Sequence, residues 1–445
     1  MSTAEPTGTA TSKKWYQRLG PGLITACVVI GPGSILTSSQ VGAKNGFALT
    51  WVVVAAVAFM LVYMQMGAKL GVVSAESAGT LVAQRAGRWL AVLIGLAVFF
   101  ISASFQFGNN LGVHSAFKAY VDFDYMIILF NALAIGFLFL FHNLYRAVER
   151  LMMCFVGLML ASFALNLIFA LRAMPSGVAE SSATNGDSLL DISLLALVGT
   201  TFVITAGFYQ SYLVQQKGWS KEELKDGVID ARVGAVLMAL ITLMIMCTAA
   251  AALRGKTLGN VDDVAQQLAP LFGVWGRPVF CLGLFAAAFS SFLVNSMIGG
   301  FILADGLGLG SRPTDLAPRI LTAVVLLTGM GMALLVIKAG FDTVPAIVAA
   351  QAVTVLASPL IAGALLWLTN KREIMGDDCN GPVVNTLGVI GFLLLLAMSW
   401  YTATVKIPDR LEKWRETKKQ SAQNLTVPDR QTIFEGRSGD ALAGR

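Results

Sequence analysis

Residues Leu19 to Leu70 read LGPGLITACVVIGPGSILTSSQVGAKNGFALTWVVVAAVAFMLVYMQMGAKL. Two apolar runs, 22–45 and 47–71, are each long enough to cross the ~30 Å hydrocarbon layer of a bilayer as a helix. The first is interrupted by Gly31-Pro32-Gly33-Ser34. Proline has no amide hydrogen and glycine adds backbone freedom, so the helical hydrogen-bond ladder must break there. Inside lipid such a break survives only where the freed backbone groups face protein or water. The first helix is therefore expected to line a site rather than merely anchor the chain.

Working outward, nine further apolar stretches follow at 89–118, 124–143, 148–173, 193–217, 229–252, 274–304, 318–338, 343–369 and 381–403. The sixth stretch of the whole series carries Thr205-Ala206-Gly207 in its middle, a second expected interruption. Interruptions at corresponding places predict two five-helix halves of inverted topology, with a site between them near the membrane midplane, plus an eleventh helix. The organisation read from this pattern is a polar N-terminal segment 1–20, a first repeat 21–173, an extramembrane loop 174–192, a second repeat 193–369, an inner loop and last helix 370–403, and a polar tail 404–445.

Composition agrees with that class. Of 445 residues, 56% are hydrophobic and 13% charged, with a mean hydropathy of +0.70; soluble domains carry about 25% charged residues. The net charge of +6 resides mostly in loops and tail, so it speaks for membrane topology and not for a nucleic-acid partner. The five cysteines are scattered without metal-ligand spacing, and His114 and His142 read as packing or interfacial residues. Gly306 to Gly310 lacks the lysine and serine of a phosphate loop, and no nucleophile–base pair or cofactor motif appears, so neither an enzyme nor a cofactor is expected. Loops holding Lys13, Lys14, Arg18, Lys217, Lys221 and Lys225 are richer in basic residues than their counterparts, which places the N-terminus in the cytoplasm of a prokaryotic inner membrane. The basic tail after Lys406 conflicts with an odd helix number, and the loops are given precedence. Oligomeric state is not readable, because lipid-facing and protein-facing surfaces are alike in composition.

The same stretch resembles the Nramp family of divalent-metal transporters, whose members run from Gly-Pro-Gly into an Asp-Pro-Gly-Asn break and on to a second helix ending Ala-Lys-Leu-Gly. The resemblance covers roughly residues 19–400, through Val198-Gly199-Thr200-Thr201 and Ser211-Tyr212-Leu213-Val214-Gln215. It implies an all-α, LeuT/APC-like inverted repeat with helices 1 and 6 broken. It also locates departures. The family's metal-binding aspartate falls on Gly31 and its asparagine on Ser34; Met-Pro-His-Asn of the sixth helix falls on Val203-Ile204-Thr205-Ala206; a later histidine falls on Gln210. An acidic pair of the third helix, on the proton path, falls on Gln106 and Asn109, while a glutamine of the tenth helix is kept as Gln351.

These departures leave alternatives open. The resemblance implies a divalent cation held by backbone carbonyls at the breaks with Ser34, Thr37, Thr200 and Gln351. Loss of the methionine sulfur then favours Mg²⁺ over Mn²⁺ or Fe²⁺, and loss of titratable groups implies transport without proton coupling. The other reading is a zwitterionic or anionic organic solute, an amino acid or organic acid, with its carboxylate on the amides of Gly33 and Ser34 at a half-helix N-terminus. Thr205 and Gln210 would then line the pocket. A third is a receptor or scaffold on a transporter fold. The expected substrate-binding set is Gly31, Gly33, Ser34, Thr37, Thr200, Val203, Thr205, Gln210 and Gln351, with Gln106, Asn109 and Gln210 as former proton-path positions.

Overall fold

Proline starts the broken helices. Pro21 opens α1 (Pro21–Val29) and Pro32 opens α2 (Pro32–Asn45), each at a first-turn position where a missing amide costs nothing. The computed structural model describes residues 20–173, 192–258 and 275–408, apart from 119, 122, 124, 142, 257 and 342. All of the expected loop 174–192 but its last residue, nearly all of segment 1–20, most of the tail, and His142 fall outside the described residues.

After α2 come α3 (Thr50–Val73), the short α4 (Ala78–Ala86), α5 (Arg88–Lys118), α6 (Met126–Leu140) and α7 (Leu144–Ala173). The second half runs through α8 (Ile192–Thr201), α9 (Ile204–Lys217), α10 (Leu224–Ala252), α11 (Gly276–Leu307), α12 (Leu316–Lys338), α13 (Thr343–Val353), α14 (Ser358–Asn370) and α15 (Pro382–Tyr401). Among the described residues eight helices are long and apolar enough to cross a membrane, and ten when each of two bent pairs is taken as one span. Met126–Leu140 adds a shorter apolar helix. All the apolar stretches read from the sequence are thereby accounted for, in order. Trp400 begins a separate unit, whose described part includes a π-helical turn at Thr402–Lys406.

What the helices expose is apolar. Trp89, Leu93, Leu96 and Phe100 form an exposed row on α5 at helical spacing. Trp51, Trp89 and Trp275 stand exposed at helix beginnings, as tryptophan does at a membrane–water boundary. Inside, small residues let backbones meet. A Cβ at Gly67 would lie 2.1 Å from the Gly207 carbonyl oxygen, and one at Gly71 would lie 2.3 Å from that of Ser211. This Gly-x-x-x-Gly face fixes α3 against α9 by close van der Waals contact, the force that packs helices where lipid competes on equal terms with protein.

Candidate transport site at the helix breaks

The first break is set by one proline. Gly31 is extended (φ −119°, ψ 178°), the conformation that sterics impose on a residue preceding proline. Helices α1 and α2 consequently bend by 57°. The Val29 carbonyl accepts the Gly31 amide at 3.2 Å and also the Ser34 hydroxyl, so Ser34 is committed to closing the break. The extended backbone at Gly31 suits any residue; space is the constraint. A Cβ there would lie 3.0 Å from Ser291 Oγ and 3.1 Å from Asn109 Oδ1.

The second break lies between α8 and α9 at Phe202-Val203, three residues before the expected Thr205-Ala206-Gly207. Glycine is not its cause. Val203 adopts φ −81°, ψ 84°, near the inverse γ-turn, within the run Thr200-Thr201-Phe202-Val203-Ile204-Thr205 of β-branched and aromatic residues of weak helix propensity. Gly207 instead serves the α3–α9 crossing. The two broken helices touch where Thr37 Oγ1 and Thr200 Oγ1 stand 3.3 Å apart.

Gln351 on α13 completes this gap. It is fully buried, and neither its Oε1 nor its Nε2 has a partner within the protein. A Cβ on Gly33 would lie 2.6 Å from its Nε2, and one on Gly108 would lie 3.0 Å from the same atom. A Cβ on Gly199 would lie 3.2 Å from its backbone oxygen. Two glycines, on α2 and α5, thus flank the side-chain amide, while Gly199 of α8 lets the Gln351 backbone come close. A third interruption follows, missed by the sequence reading: Ala346–Leu356 and Ser358–Asn370 meet at 40°, where Pro359 removes an amide from the ladder.

The remaining expected residues divide into two places. Gln106 and Asn109 are joined, Asn109 Nδ2 donating to Gln106 Oε1 at 3.0 Å and to Ser291 Oγ at 3.1 Å. Gln106 Nε2 in turn donates to the Phe292 carbonyl of α11. Gln210 is bonded elsewhere, its Oε1 accepting from Thr25 Oγ1 of α1 at 2.5 Å, with Nε2 unpartnered. Thr205 is buried with an unpartnered hydroxyl, and Val203 is buried at the break itself. Among the described residues there is no group of three or more His, Cys, Asp or Glu that could hold a metal.

Sequence reasoning missed the groups that hold α1. The Asp230 carboxylate of α10, fully buried, accepts the amides of Gly20 at 2.8 Å and Gly22 at 2.5 Å. Lys217 and Glu149 form an ion pair beside Gly20, close enough that a Cβ there would meet both. It missed Ser291 and Asn295 as well, although polar residues four apart on an apolar helix are the available signal for a face turned to protein.

Residues 22–404 match the family model described as "Natural resistance-associated macrophage protein-like", Nramp. The chain belongs to the Nramp family. It is 26% identical over 393 residues to the "Divalent metal cation transporter MntH" of Verminephrobacter eiseniae, covering 85% of this chain and 87% of that one. A crystal structure of an Eremococcus coleocola manganese transporter variant superposes with a TM-score of 0.74 at 18% identity, covering 89% of this chain and 88% of that one. The fold extends beyond Nramp: MhsT, solved in complex with L-phenylalanine, matches with a TM-score of 0.56 at 19% identity, over 86% of this chain and 98% of its own. Likenesses at such identity show the fold alone. The architecture is the all-α, LeuT-like inverted repeat with broken helices. This Nramp protein is a multi-pass bacterial inner-membrane transporter, not an enzyme.

The expected preference for Mg²⁺ is overturned. The matching Nramp proteins are named for divalent metal cations and for manganese. The physical ground for Mg²⁺ was the missing sulfur ligand, and it does not suffice. Mg²⁺ gives up its water reluctantly and demands a near-octahedral oxygen shell, which the hydroxyls, amide and carbonyls at these breaks supply no better than they would for Mn²⁺. At a given set of such ligands affinity rises along the first transition row.

Proposed function

We propose that this chain carries a divalent cation of the Mn²⁺ or Fe²⁺ kind through the gap between its two helix breaks. The observation that supports it most is the Gln351 amide, buried and unpartnered, flanked by Gly33 at the first break and by Gly108 of α5, with Gly199 of α8 against its backbone. An unsatisfied amide in a hydrocarbon setting costs free energy, and an oxygen-seeking ion on Oε1 removes the carbonyl's share of that cost. In this reading the break carbonyls near Gly31, Gly33 and Val203 and the Thr37, Thr200 and Gln351 oxygens bind the ion. Ser34 bridges the break by donating to the Val29 carbonyl, and Thr205 and Gln210 line the way to the inner side. Gln106 and Asn109 form a neutral wall where the family carries acids. The N-terminus faces the cytoplasm, and the repeats span 21–173 and 193–369.

The test is uptake of radioactive Mn²⁺ into proteoliposomes holding the purified chain, with unlabelled Mn²⁺ or Mg²⁺ outside. Saturable uptake suppressed more strongly by Mn²⁺ than by Mg²⁺ is expected. Folded protein that gives no uptake above empty vesicles would sink the reading.

Gly31→Asp returns a carboxylate to the break, but Ser291 Oγ and Asn109 Oδ1 stand at 3.0 and 3.1 Å from its Cβ. The single substitution is expected to help little. Combined with Ser291→Ala, which removes the nearer oxygen, it should tighten Mn²⁺ binding at least ~10-fold, about 1.4 kcal/mol, by titration calorimetry. Unchanged affinity in the double variant would put the ion elsewhere.

A further inference from the structure

Helix α15 turns its small residues to α3. Tyr63 of α3 donates its hydroxyl to the Gly388 carbonyl at 2.8 Å, and a Cβ on Gly391 would lie 3.2 Å from the Phe59 and Tyr63 rings. Toward α14 it sends the Phe392 ring, which a Cβ on Gly363 would meet at 3.2 Å. Around that contact the two helices leave a groove. Two adjoining hollows of about 400 and about 450 Å³, open to the outside, share Gly363, Trp367 and Phe392. Each has the size of a small-ligand pocket. Leu393 and Leu396 beside them are exposed, so the groove faces lipid.

Its length matches one leaflet. From Pro359, which lines one hollow, to Lys371, which lines the other, the helix rises about 18 Å. That is slightly more than half of the ~30 Å hydrocarbon layer. Hydrocarbon walls alone give no selectivity, because lipid tails and apolar side chains are alike; the polar end has to supply it. There the Lys371 Nζ stands 5.0 Å from the Trp367 ring centroid, a cation–π contact that holds the ammonium over the groove. Arg372 is exposed next to it in sequence. Two of the loop's three acids are engaged elsewhere, Glu373 with Arg85 and Asp378 with Lys221, and the third, Asp377, is exposed. Among the described residues neither Lys371 nor Arg372 has a carboxylate partner. Asn370 is occupied too, exchanging amide hydrogen bonds with Asn385 at 2.7 and 2.8 Å.

We propose that this groove binds an acidic phospholipid, with one acyl chain between α14 and α15 and the phosphate on Lys371 and Arg372. Charge decides the class. A zwitterionic headgroup brings its own ammonium, which these two cations repel, whereas basic pockets between membrane helices suit acidic headgroups. Free phosphate would leave the apolar walls unfilled. The tail reaches Pro359, at the bend between α13 and α14, so a seated lipid stiffens the hinge of the helix that carries Gln351. That link to transport, and the placing of the loop on the cytoplasmic side, rest on the function proposed above; the binding does not.

The experiment is native mass spectrometry of the full chain, delipidated in detergent and offered equal amounts of phosphatidylglycerol and phosphatidylethanolamine with the same acyl chains. Phosphatidylglycerol adducts are expected to exceed the others at least ~5-fold, the scale of one basic residue at an acidic lipid surface. Lys371→Gln should bring the ratio close to one. Lys338→Gln, which removes a lysine set over the Tyr125 ring at 5.9 Å, should leave the ratio unchanged. Gly363→Leu fills the groove and should abolish the phosphatidylglycerol excess, with thermal unfolding and size exclusion checked for each variant; if it does not fold, the two lysine variants decide. Equal adducts in the wild type, or an excess that survives Lys371→Gln, would overturn the proposal. So would an excess that survives Gly363→Leu in folded protein, or one erased by millimolar inorganic phosphate, since each puts the ligand outside the groove. A second copy of the chain covering the groove, seen as a dimer without lipid, would overturn it as well. Mn²⁺ flux is scored apart: its absence while the excess persists removes the cargo and leaves the lipid site standing.

Discussion

Asp230→Ala is expected to abolish transport and to lower the unfolding temperature markedly. Its carboxylate holds the amides of Gly20 and Gly22 at 2.8 and 2.5 Å, at the positive end of α1. Hydrogen bonds to a charged group contribute about 1.5–3 kcal/mol each, so losing both withdraws about 3–6 kcal/mol from the position of this half-helix. A Cβ on Gly22 would lie 2.2 Å from the Asp230 carbonyl oxygen, and one on Gly234 would lie 2.3 Å from that of Gly22, so α1 and α10 are in backbone contact. Asp230→Asn keeps one accepting oxygen and should retain part of the stability. The check is Mn²⁺ flux together with thermal unfolding monitored by size exclusion. Normal flux and normal stability in Asp230→Ala would show that α1 is held by other contacts.

Gly33→Leu should reduce Mn²⁺ flux to background. The new Cβ alone would stand 2.6 Å from Gln351 Nε2, 2.7 Å from its Cδ and 2.8 Å from its Cγ. On its other side the amide faces α5 at Gly108, where a Cβ would lie 3.0 Å from the same Nε2, so it has little space to withdraw. Over-filling a packed site costs about 1–3 kcal/mol, which a large helical protein can bear, so the variant is expected to be made and yet inactive. Gly33→Ala paired with Gln351→Ala separates crowding from chemistry. Room is restored in that pair but the amide is gone, and the two substitutions should be strongly non-additive in stability, as neighbours are. If the pair regains full flux, Gln351 is a spacer and not a ligand.

The membrane spans were legible because hydropathy and length have a single physical cause, the thickness of hydrocarbon. The first break was legible for a similar reason: proline acts on its own neighbour, and Gly31 is extended because Pro32 follows it. The second break was displaced because Gly207 looks locally like a hinge, whereas its role is to let α3 approach. That role depends on Gly67, which is remote in sequence. The site was partly legible. Gly33, Thr37, Thr200 and Gln351 do meet, and Gln106 does pair with Asn109. Gln210, expected on the same path as that pair, instead bonds Thr25. Ser291 and Asn295 escaped notice because each is an unremarkable polar residue in its own helix; only the fold sets them against Val28. Asp230 escaped because it stands near the beginning of its apolar stretch, where a carboxylate is ordinarily solvated.

The most direct measurement is the position of the ion itself, by anomalous scattering at the manganese edge from crystals of the protein grown with Mn²⁺. The expected result is one strong peak in the gap between Gly31, Gly33, Thr200 and Gln351. Crystals that bind Mn²⁺ only at surface carboxylates, or hold it away from Gln351, would contradict a pathway through the helix breaks.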